Sequence, residues 1–504
     1  MNRVSALGYG LALLYAIPNL LMPIDGNTSI FYYVGSGWLQ GYWPYESAVD
    51  HKPPGLYMLY ALAALVFDQQ GYGIRLLELA AVLATGSLLG RIFERADPPA
   101  PGLGGIAALL VASFYYTSFD YFATGEAELW EALFIVAAWC TAGAGTSSGA
   151  RSLCVGSLGG VATMFKLPAV IPFVGVAGLL IVRCDDVRSS FRFAFTMIVG
   201  FVATVVSMFM PFLLTGRSAD LWEVVVQFNL FYATVTKLPQ QSPLAWFWLE
   251  HALPSTLILA ATLFAAAVRT LWFGDCVRLR LGIEIVVLGA LALLSVVVQD
   301  KYLHYHWAVV APFIAAGILW GIAWVSDKPR VTALLASICV AATLLLTPPS
   351  SDRHPPKPMR PYRDLMATIW SNLARSASRE QHLTPYRSHY YSYIAVDRLS
   401  EVVNEYKGPG DTLCTLDTFV PLAYTATRLR CPSRFFADHV LSYIKREPEK
   451  AGELKGWLAE HDAVLLASPP TFLIVSKRFE VVYWGRPYRI LAGQGRHALL
   501  RRSD

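Results

Sequence analysis

Side chains suited to acid–base and phosphate chemistry cluster in one polar segment near the start of the chain. Asp25 directly follows the first apolar run, and Asp50-His51-Lys52 comes just before two prolines. A carboxylate can accept a proton, an imidazole titrates near neutral pH, and an ammonium stabilises a departing phosphate. The structural alternatives are a helix-capping role for Asp25 and a solvated loop whose Lys52 reaches the lipid headgroups.

A second acidic cluster lies before a later apolar run and contains Glu126, Glu128 and Glu131. Acids in the first turn of a helix are favoured by the helix macrodipole, so this cluster has a structural explanation. Three carboxylates at the mouth of one helix can equally contact a substrate.

A third polar segment runs from Gln299 to Trp307 and combines basic and aromatic side chains: Lys301, Tyr302, His304 and His306. Histidines at i and i+2 do not share one helix face, so polar contacts are favoured over a zinc site. Lys166 ends another apolar run before a proline. It could point inward, although snorkelling to the interface is the commoner behaviour of such a lysine.

One arginine stands at the start of an apolar run, in Gly73-Ile-Arg75-Leu. It could bind an anion. An ion pair with Glu78 across one helical turn is the structural alternative.

These residues must be positioned by membrane helices, because the 504-residue chain is 55% hydrophobic with a mean hydropathy of +0.43. That composition exceeds what one water-soluble core uses. The net charge is only +5, and the basic residues are scattered between apolar runs. A nucleic-acid partner is therefore not expected.

About eleven apolar runs are long enough to cross a hydrocarbon layer. They lie at 4–22, 74–93, 103–119, 128–146, 153–166, 168–183, 193–214, 245–268, 281–298, 306–325 and 331–347. The distribution of Lys and Arg favours a cytoplasmic N-terminus, no crossing by 53–67, and an extracytoplasmic C-terminus. We therefore predict a multi-pass protein of a bacterial inner membrane, with the loop 23–73 and the C-terminal domain in the periplasm.

The first outer loop contains a predicted amphipathic helix, in which Ile30, Phe31, Val34 and Trp38 recur at helical spacing. We expect Asn27 or Thr28 to cap it, Gly41 to end it, and its apolar face to lie on the bilayer surface. Substitutions at Asp25 or Lys52 are then expected to fall in an exposed loop.

The composition changes at the proline-rich linker 348–351, which divides a transmembrane domain, 1–347, from a soluble domain, 348–504. Three short runs predict strands, at 412–416, 463–467 and 480–484, and 391–406 predicts a helix, so a small α/β fold is expected. Cys414 and Cys431 both lie in this domain, where an oxidising compartment permits a disulfide between them.

The first loop resembles that of the GT-C superfamily of lipid-linked-sugar glycosyltransferases, especially the aminoarabinose transferases of lipid A and the protein O-mannosyltransferases. The resemblance rests on an Asp after the first span, the run Gly-Tyr-Trp-Pro-Tyr, and Asp-His-Lys-Pro-Pro. As a pattern of spans it covers about the first 350 residues, with specific motifs in 20–80 and weaker ones in 118–131 and 299–313. The family often has Asp-Glu where this chain has Asp25-Gly26.

The resemblance implies a polytopic α-helical GT-C fold and an inverting transfer of one sugar from a polyprenyl-phosphate donor. Asp25 corresponds to the catalytic base, and Glu128 to a second acid. The donor and its phosphate are expected to contact a wider set: Lys52, Asp50, His51, Arg75, Glu126, Lys301, Tyr302 and His304. The acceptor is expected to be lipid A or a similar glycan, another envelope glycan, a glycolipid or a protein. No metal or other cofactor is expected, although oligosaccharyltransferase-like relatives use a divalent ion, and Asp25 with Glu128 leaves that open.

Two other classes fit the apolar pattern. A transporter or flippase for a lipid-linked or polar substrate would concentrate charge near mid-membrane on broken helices. A non-catalytic scaffold for polysaccharide assembly would differ only in having no use for Asp25.

Overall fold

The computed structural model describes most of the chain, with gaps. The described residues are 3–67, 72–96, 102–119, 124–143, 148–184, 186–235, 256–263, 268, 279–325, 328–346, 362–374, 377–383, 392–416, 420–437, 439–476, 482–494 and 497–503.

The N-terminal part is a bundle of helices. In chain order they are α1 (Arg3–Leu20), α2 (Gly26–Leu39), α3 (Pro54–Val66), α4 (Tyr72–Glu94), α5 (Gly104–Phe119), α6 (Ala127–Ala142), α7 (Gly149–Phe165), α8 (Val170–Val182), α9 (Val187–Leu214), α10 (Ser218–Leu221), α11 (Asn229–Thr234), α12 (Leu279–Gln299), α13 (Ala311–Val325) and α14 (Pro329–Leu346). A π-helical turn, Trp222–Phe228, joins α10 to α11. Short 3₁₀ helices occupy Leu167–Ala169 and His304–Val309.

Three of the described helices are long and apolar enough to cross a membrane: Gly73–Glu94, Val187–Leu214 and Leu279–Gln299. Other apolar helices are shorter, and the predicted span 245–268 lies largely outside the described residues. Large apolar side chains such as Phe191, Phe195 and Val286 are more than half exposed on α9 and α12. Such exposed apolar faces are what contact with lipid requires.

Helix α3 has 13 residues, which corresponds to a length of about 20 Å. This is shorter than the roughly 30 Å hydrocarbon layer, but α8, which belongs to a predicted span, has the same number of residues. That 53–67 does not cross therefore stays a prediction.

The amphipathic helix of the first loop is present as α2, but its predicted setting is wrong. Its N-cap is Asp25 rather than Asn27 or Thr28. The helix ends at Leu39, two residues before Gly41, whose φ of 90° suits glycine. Most of α2 is buried, including Ile30, Phe31 and Tyr33. The face that sequence alone assigned to the bilayer packs against the bundle, where Phe31 contacts Tyr60 of α3 and Trp38 contacts Phe212 of α9.

The C-terminal domain is an α/β unit. Its helices are α15 (Tyr362–Ala374), α16 (Arg379–Leu383), α17 (Tyr393–Tyr406), α18 (Leu422–Thr427), α19 (His439–Arg446) and α20 (Gly456–Ala467), with a 3₁₀ turn at Gly452–Lys455. Its strands are β1 (Leu413–Leu416), β2 (Phe472–Ser476), β3 (Val482–Tyr483), β4 (Arg486–Gln494) and β5 (His497–Arg502). The sheet order is β1-β2-β5-β4-β3. Among these described strands, β1 and β2 pair in parallel and the other neighbours are antiparallel.

The predicted strand at 412–416 and the predicted helix at 391–406 are confirmed as β1 and α17. The predicted strand at 463–467 is wrong, since those residues form the last turns of α20. A short apolar run does not separate strand from helix by periodicity, and its Ala and Leu residues favour helix.

The predicted disulfide between Cys414 and Cys431 is confirmed, with the two Cα atoms 5.0 Å apart. Cys414 belongs to β1, and Cys431 lies in the segment that contacts the first loop. The backbone N–H of Cys431 donates to the Tyr33 hydroxyl at 3.1 Å. The disulfide therefore connects the sheet to the surface where the domain meets α2.

The two domains meet through side chains of both. The Tyr33 ring stacks on Phe436 at 4.0 Å between centroids, and the Arg430 guanidinium lies 4.1 Å from the Tyr33 ring centroid. Arg434 forms an ion pair with Glu460 of its own domain and one with Glu223 of the helical part. These contacts fix the first loop between the bundle and the C-terminal domain.

Candidate active site

Asp25 lies at the N-terminus of α2 and caps it. Its Oδ1 accepts hydrogen bonds of 2.6 Å from both the backbone N–H and the hydroxyl of Thr28, while Thr28 Oγ1 accepts from the Asp25 N–H. The capping role weighed in the sequence analysis is thus real. The second oxygen, Oδ2, has no hydrogen-bond partner among the described residues, although the side chain is fully buried.

Burial of Asp25 changes its proton affinity. Desolvation raises its pKa from 3.8 to about 7, and the hydrogen bonds from Thr28 and the charge of Arg75 offset only part of that rise. A carboxylate with one free oxygen and a pKa near neutrality has the properties of a general base.

Glu126 faces Asp25 from the start of α6. Its Oε1 accepts a 2.8 Å hydrogen bond from Asn27 Nδ2, and its Oε2 has no partner among the described residues. Burial raises the pKa of Glu126 well above its usual value, and the neighbouring charges of Asp25 and Glu128 add to that rise. Two buried carboxyls with free oxygens therefore stand close enough to influence each other's protonation.

Gly125 shapes the turn that presents Glu126. Its φ is +79°, which disfavours residues other than glycine. Its carbonyl accepts from the Tyr60 hydroxyl and its N–H donates to the Tyr115 hydroxyl, each at 2.9 Å. Hydrogen bonds to both backbone polar groups of Gly125 therefore hold the loop before α6 in place.

Glu128 is buried and paired. It forms a salt bridge with Lys166, and His306 Nε2 lies 3.7 Å from the same carboxylate oxygen. Lys166 therefore points into the protein instead of snorkelling. It stands at the break between α7 and the 3₁₀ turn at Leu167–Ala169, where the proline that follows it ends the α-helix.

Lys52 is buried beside this group, so the expectation that Asp25 and Lys52 lie in an exposed loop is wrong. Tyr45 and Tyr57 hold its backbone, since the Tyr45 hydroxyl donates to the Lys52 carbonyl and the Lys52 N–H donates to the Tyr57 hydroxyl. Within the described part of the chain, no carboxylate lies at ion-pair distance from its ammonium. The ammoniums of Lys52 and Lys166 each lie 5.9 Å from the centroid of one ring, that of Tyr305.

Arg75 is fully buried and engaged locally. Its guanidinium donates to Glu78 at 3.0 Å, to the Thr124 hydroxyl and to the Pro23 carbonyl at 2.9 Å. It therefore has the ion pair with Glu78 that the sequence analysis gave as its structural alternative. These contacts hold the segments before α2 and before α6 together, and thus position Asp25 and Glu126.

Asp50 and His51 lie beside Lys52 but face the C-terminal domain. Asp50 Oδ1 is 3.5 Å from His51 Nδ1 and 3.4 Å from His439 Nε2, and Oδ2 accepts a 2.6 Å hydrogen bond from the Tyr57 hydroxyl. The two imidazoles lower the pKa of Asp50 well below its usual range despite burial. Burial lowers the pKa of His51 to about 4, so its ring is neutral at physiological pH.

The late polar segment divides between two places. The Lys301 ammonium donates to the Val235 carbonyl at 2.8 Å and lies 4.7 Å from the centroid of the Tyr232 ring. Tyr302 has a φ of 46° and packs partly buried against the core. The side chain of His304 lies outside the described residues, and it is His306 that approaches Glu128.

The structure thus brings Asp25, Glu126, Glu128 and Lys52 into one buried polar region. Sequence reasoning did not assign Tyr305, His306 and Lys166 to it, although the first two lie inside the polar segment it singled out. His439 was also missed, because only the docking of the C-terminal domain brings it to the first loop.

Helices long enough to span a membrane, a capped Asp after the first helix and a docked C-terminal domain define the fold as a helical membrane bundle joined to an α/β domain. The crystal structure of ArnT from Cupriavidus metallidurans bound to undecaprenyl phosphate matches 98% of this chain and 97% of its own, at 12% identity and a TM-score of 0.65. The apo state of the same protein matches over the same shares at a TM-score of 0.61. The predicted GT-C fold with a C-terminal α/β domain is therefore confirmed.

An apo oligosaccharyltransferase from Archaeoglobus fulgidus is a looser match, with 10% identity and a TM-score of 0.48 over 94% of this chain and 69% of that one. The sequence matches no protein-family model and no curated protein.

Proposed function

We propose that this chain is an inverting glycosyltransferase that moves one sugar from a polyprenyl-phosphate donor to a hydroxyl of an acceptor on the extracytoplasmic face of the membrane. The proposal rests on two buried groups in one region. Among the described residues, Asp25 Oδ2 has no hydrogen-bond partner, and the Lys52 ammonium has no carboxylate at ion-pair distance. The first suits proton abstraction, and the second suits a phosphate leaving group.

In the proposed reaction the acceptor oxygen attacks the anomeric carbon of the donor while Asp25 Oδ2 takes the hydroxyl proton. The bond between that carbon and the phosphate oxygen breaks, and the polyprenyl phosphate leaves with the bonding electron pair. Lys52 stabilises the developing negative charge. Lys166 adds a second cation across the Tyr305 ring, although its contact with Glu128 already neutralises part of its charge.

A lipid chain has a place beside this region. An apolar cavity of about 790 Å³ lies between α12, α13 and the helical residues 256–263, and its lining includes Trp307, Phe313 and Trp320. Trp307 follows His306, which contacts Glu128. One 3₁₀ helix therefore joins the apolar cavity to the polar region, as a donor with an apolar tail and a phosphate head requires.

The fold supports the same donor class. The matching ArnT structure contains undecaprenyl phosphate, a polyprenyl phosphate without a sugar. We extend that ligand class to this chain, with lipid A or another lipopolysaccharide glycan, a further envelope glycan, a glycolipid or a protein as the acceptor. The proposal includes a bacterial inner membrane and a periplasmic active site.

The direct test is consumption of a donor. Purified full-length protein in detergent is incubated with radiolabelled polyprenyl-phosphate sugars, one at a time, and with envelope extract as the source of acceptor. We expect release of polyprenyl phosphate and transfer of label to one acceptor fraction. A transporter or flippase would instead move donor across proteoliposome membranes without cleaving it, and that result would replace the proposal.

The orientation is tested with reporter fusions. A reporter placed after Asp504 is expected to be active on the outer side, and reporters within 184–192 or 273–280 on the cytoplasmic side, because the basic residues favour that arrangement. The Cys414–Cys431 disulfide supports it, since disulfides persist in oxidising compartments. A cytoplasmic C-terminal reporter would contradict both the orientation and the periplasmic active site.

A further inference from the structure

Three side chains with metal-binding atoms converge where the first loop meets the C-terminal domain. Asp50 and His51 come from the end of the first loop, and His439 is the first residue of α19. One ligand atom of each lies within 4.8 Å of the others. Asp50 is buried, and the two histidine side chains are 15% and 20% exposed, so a small ion from solvent has access.

The two distances from Asp50 fit metal ligation better than direct hydrogen bonding. Asp50 Oδ1 lies 3.5 Å from His51 Nδ1 and 3.4 Å from His439 Nε2. Hydrogen bonds from N–H to oxygen are normally 2.7–3.2 Å. Ligands at about 2.0–2.1 Å from a tetrahedral ion stand about 3.3–3.4 Å apart, whereas octahedral ligands at the same bond length stand about 2.9 Å apart.

The donor set selects the kind of ion. Two imidazoles and one carboxylate are typical ligands of Zn²⁺, which accepts three protein ligands and leaves a fourth position for water or substrate. The surroundings also hold these ligands in place: the Tyr57 hydroxyl donates to Asp50 Oδ2 at 2.6 Å, and Asn229 Nδ2 donates to the His51 carbonyl at 2.8 Å. Such outer contacts orient metal ligands and strengthen binding.

We propose that Asp50, His51 and His439 form a Zn²⁺ site that links the first loop to the C-terminal domain. The ion fixes the backbone of His51 and therefore of Lys52, the next residue. The site does not include Asp25 or Glu128, the two acids that the sequence suggests for a divalent ion. It does not depend on the proposed glycosyl transfer, because metal binding is measured without any donor.

The test measures binding of Zn²⁺ itself. Full-length protein in detergent is stripped with a chelator, dialysed, and titrated with Zn²⁺ against a fluorescent chelator, with bound metal also determined by mass spectrometry. We expect about one tightly bound ion per chain, no competition from Mg²⁺, and the absorption of tetrahedral Co²⁺ when cobalt is substituted. The thermal midpoint of the stripped protein is expected to rise when Zn²⁺ is restored.

Two ligand variants and one control locate the ion. His439→Gln and His51→Gln are each expected to weaken Zn²⁺ binding by at least about 100-fold, since loss of outer-shell contacts alone costs 10–100-fold. His461→Gln is the matched control: it alters a histidine of the same domain that contacts Ser433 Oγ at 2.8 Å, and it should bind Zn²⁺ like the wild type.

Loss of Zn²⁺ binding can be distinguished from misfolding of a variant. Circular dichroism and size-exclusion chromatography establish that each variant is folded, and two independent ligand variants keep the test valid if one of them is not. The proposal is overturned if the stripped wild type takes up no more Zn²⁺ than the His439→Gln and His51→Gln proteins. That outcome would leave the three residues as a charge contact between the domains, with no effect on whether sugar transfer occurs.

Discussion

Replacement of Asp25 by asparagine is expected to lower the rate of sugar transfer by about 10²–10⁴-fold, the usual contribution of a positioned general base. The measurement is single-turnover transfer from a saturating radiolabelled donor. Donor affinity should stay near the wild-type value, because the phosphate contacts are assigned to other residues. Near-normal transfer by a folded Asp25→Asn protein would leave Asp25 with its capping role alone.

This substitution should remove the proton acceptor without disturbing the helix cap. Asparagine is as good an N-cap as aspartate, and its Oδ1 can accept the same hydrogen bonds from the Thr28 N–H and hydroxyl. Asp186→Asn is the matched control, since Asp186 caps α9 through Ser189 in the same way but lies on the surface. It should leave transfer unchanged. A loss of activity in both variants would indicate a general effect of cap replacement.

The same residue sets the expected pH dependence. A base works only when ionised, and burial raises the pKa of Asp25 to about 7. The value of kcat/KM should therefore be constant above that pH and fall tenfold per pH unit below it, because protonated Asp25 cannot accept the acceptor's proton. Control Asp186→Asn should keep this profile. A rate that remained constant down to pH 5 would mean that the essential base is a carboxyl with an ordinary pKa.

Sequence alone was sufficient for features fixed by local composition. Apolar runs predict most of the bundle helices, because each must be long and apolar whatever its neighbours are. The alternation of strand and helix at the C-terminus and the pair Cys414 and Cys431 likewise predict the α/β domain and its disulfide. Asp25 was singled out by its place after the first apolar run and by the resemblance of the first loop, and its catalytic role stays a prediction.

The sequence could not predict which groups surround each of these side chains in the folded protein. The periodicity of α2 correctly predicts one apolar face, but it contains no information about whether lipid or protein covers that face. Lys166 has the pattern of a snorkelling lysine, and only its partner Glu128, from a different helix, shows that it points inward. His439 reaches Asp50 solely through domain docking. Each of these depends on contacts between residues far apart in the chain.

Lys52→Ala is expected to reduce transfer by about 10²–10³-fold, the loss typical when one stabilising donor to a developing charge is removed. Its ammonium has no carboxylate at ion-pair distance in the part of the chain that the structure describes, so it is available to a phosphate. Unlike Asp25→Asn, this variant should also bind donor more weakly, because the donor phosphate is charged before transfer begins. Donor affinity by equilibrium binding and single-turnover transfer measure the two effects separately.

Lys301→Ala is the informative comparison for Lys52→Ala. The Lys301 ammonium donates to the Val235 carbonyl and lies over the Tyr232 ring, so its charge is held by the protein at the edge of the region. We expect it to have a smaller effect on donor affinity than Lys52. The backbone of Lys52 is held by Tyr45 and Tyr57 through atoms that alanine retains, which favours normal folding of Lys52→Ala. Equal losses of donor affinity in the two variants would show that the lysines attract the donor only through their general positive charge. Lys52 would then have no specific role at the phosphate.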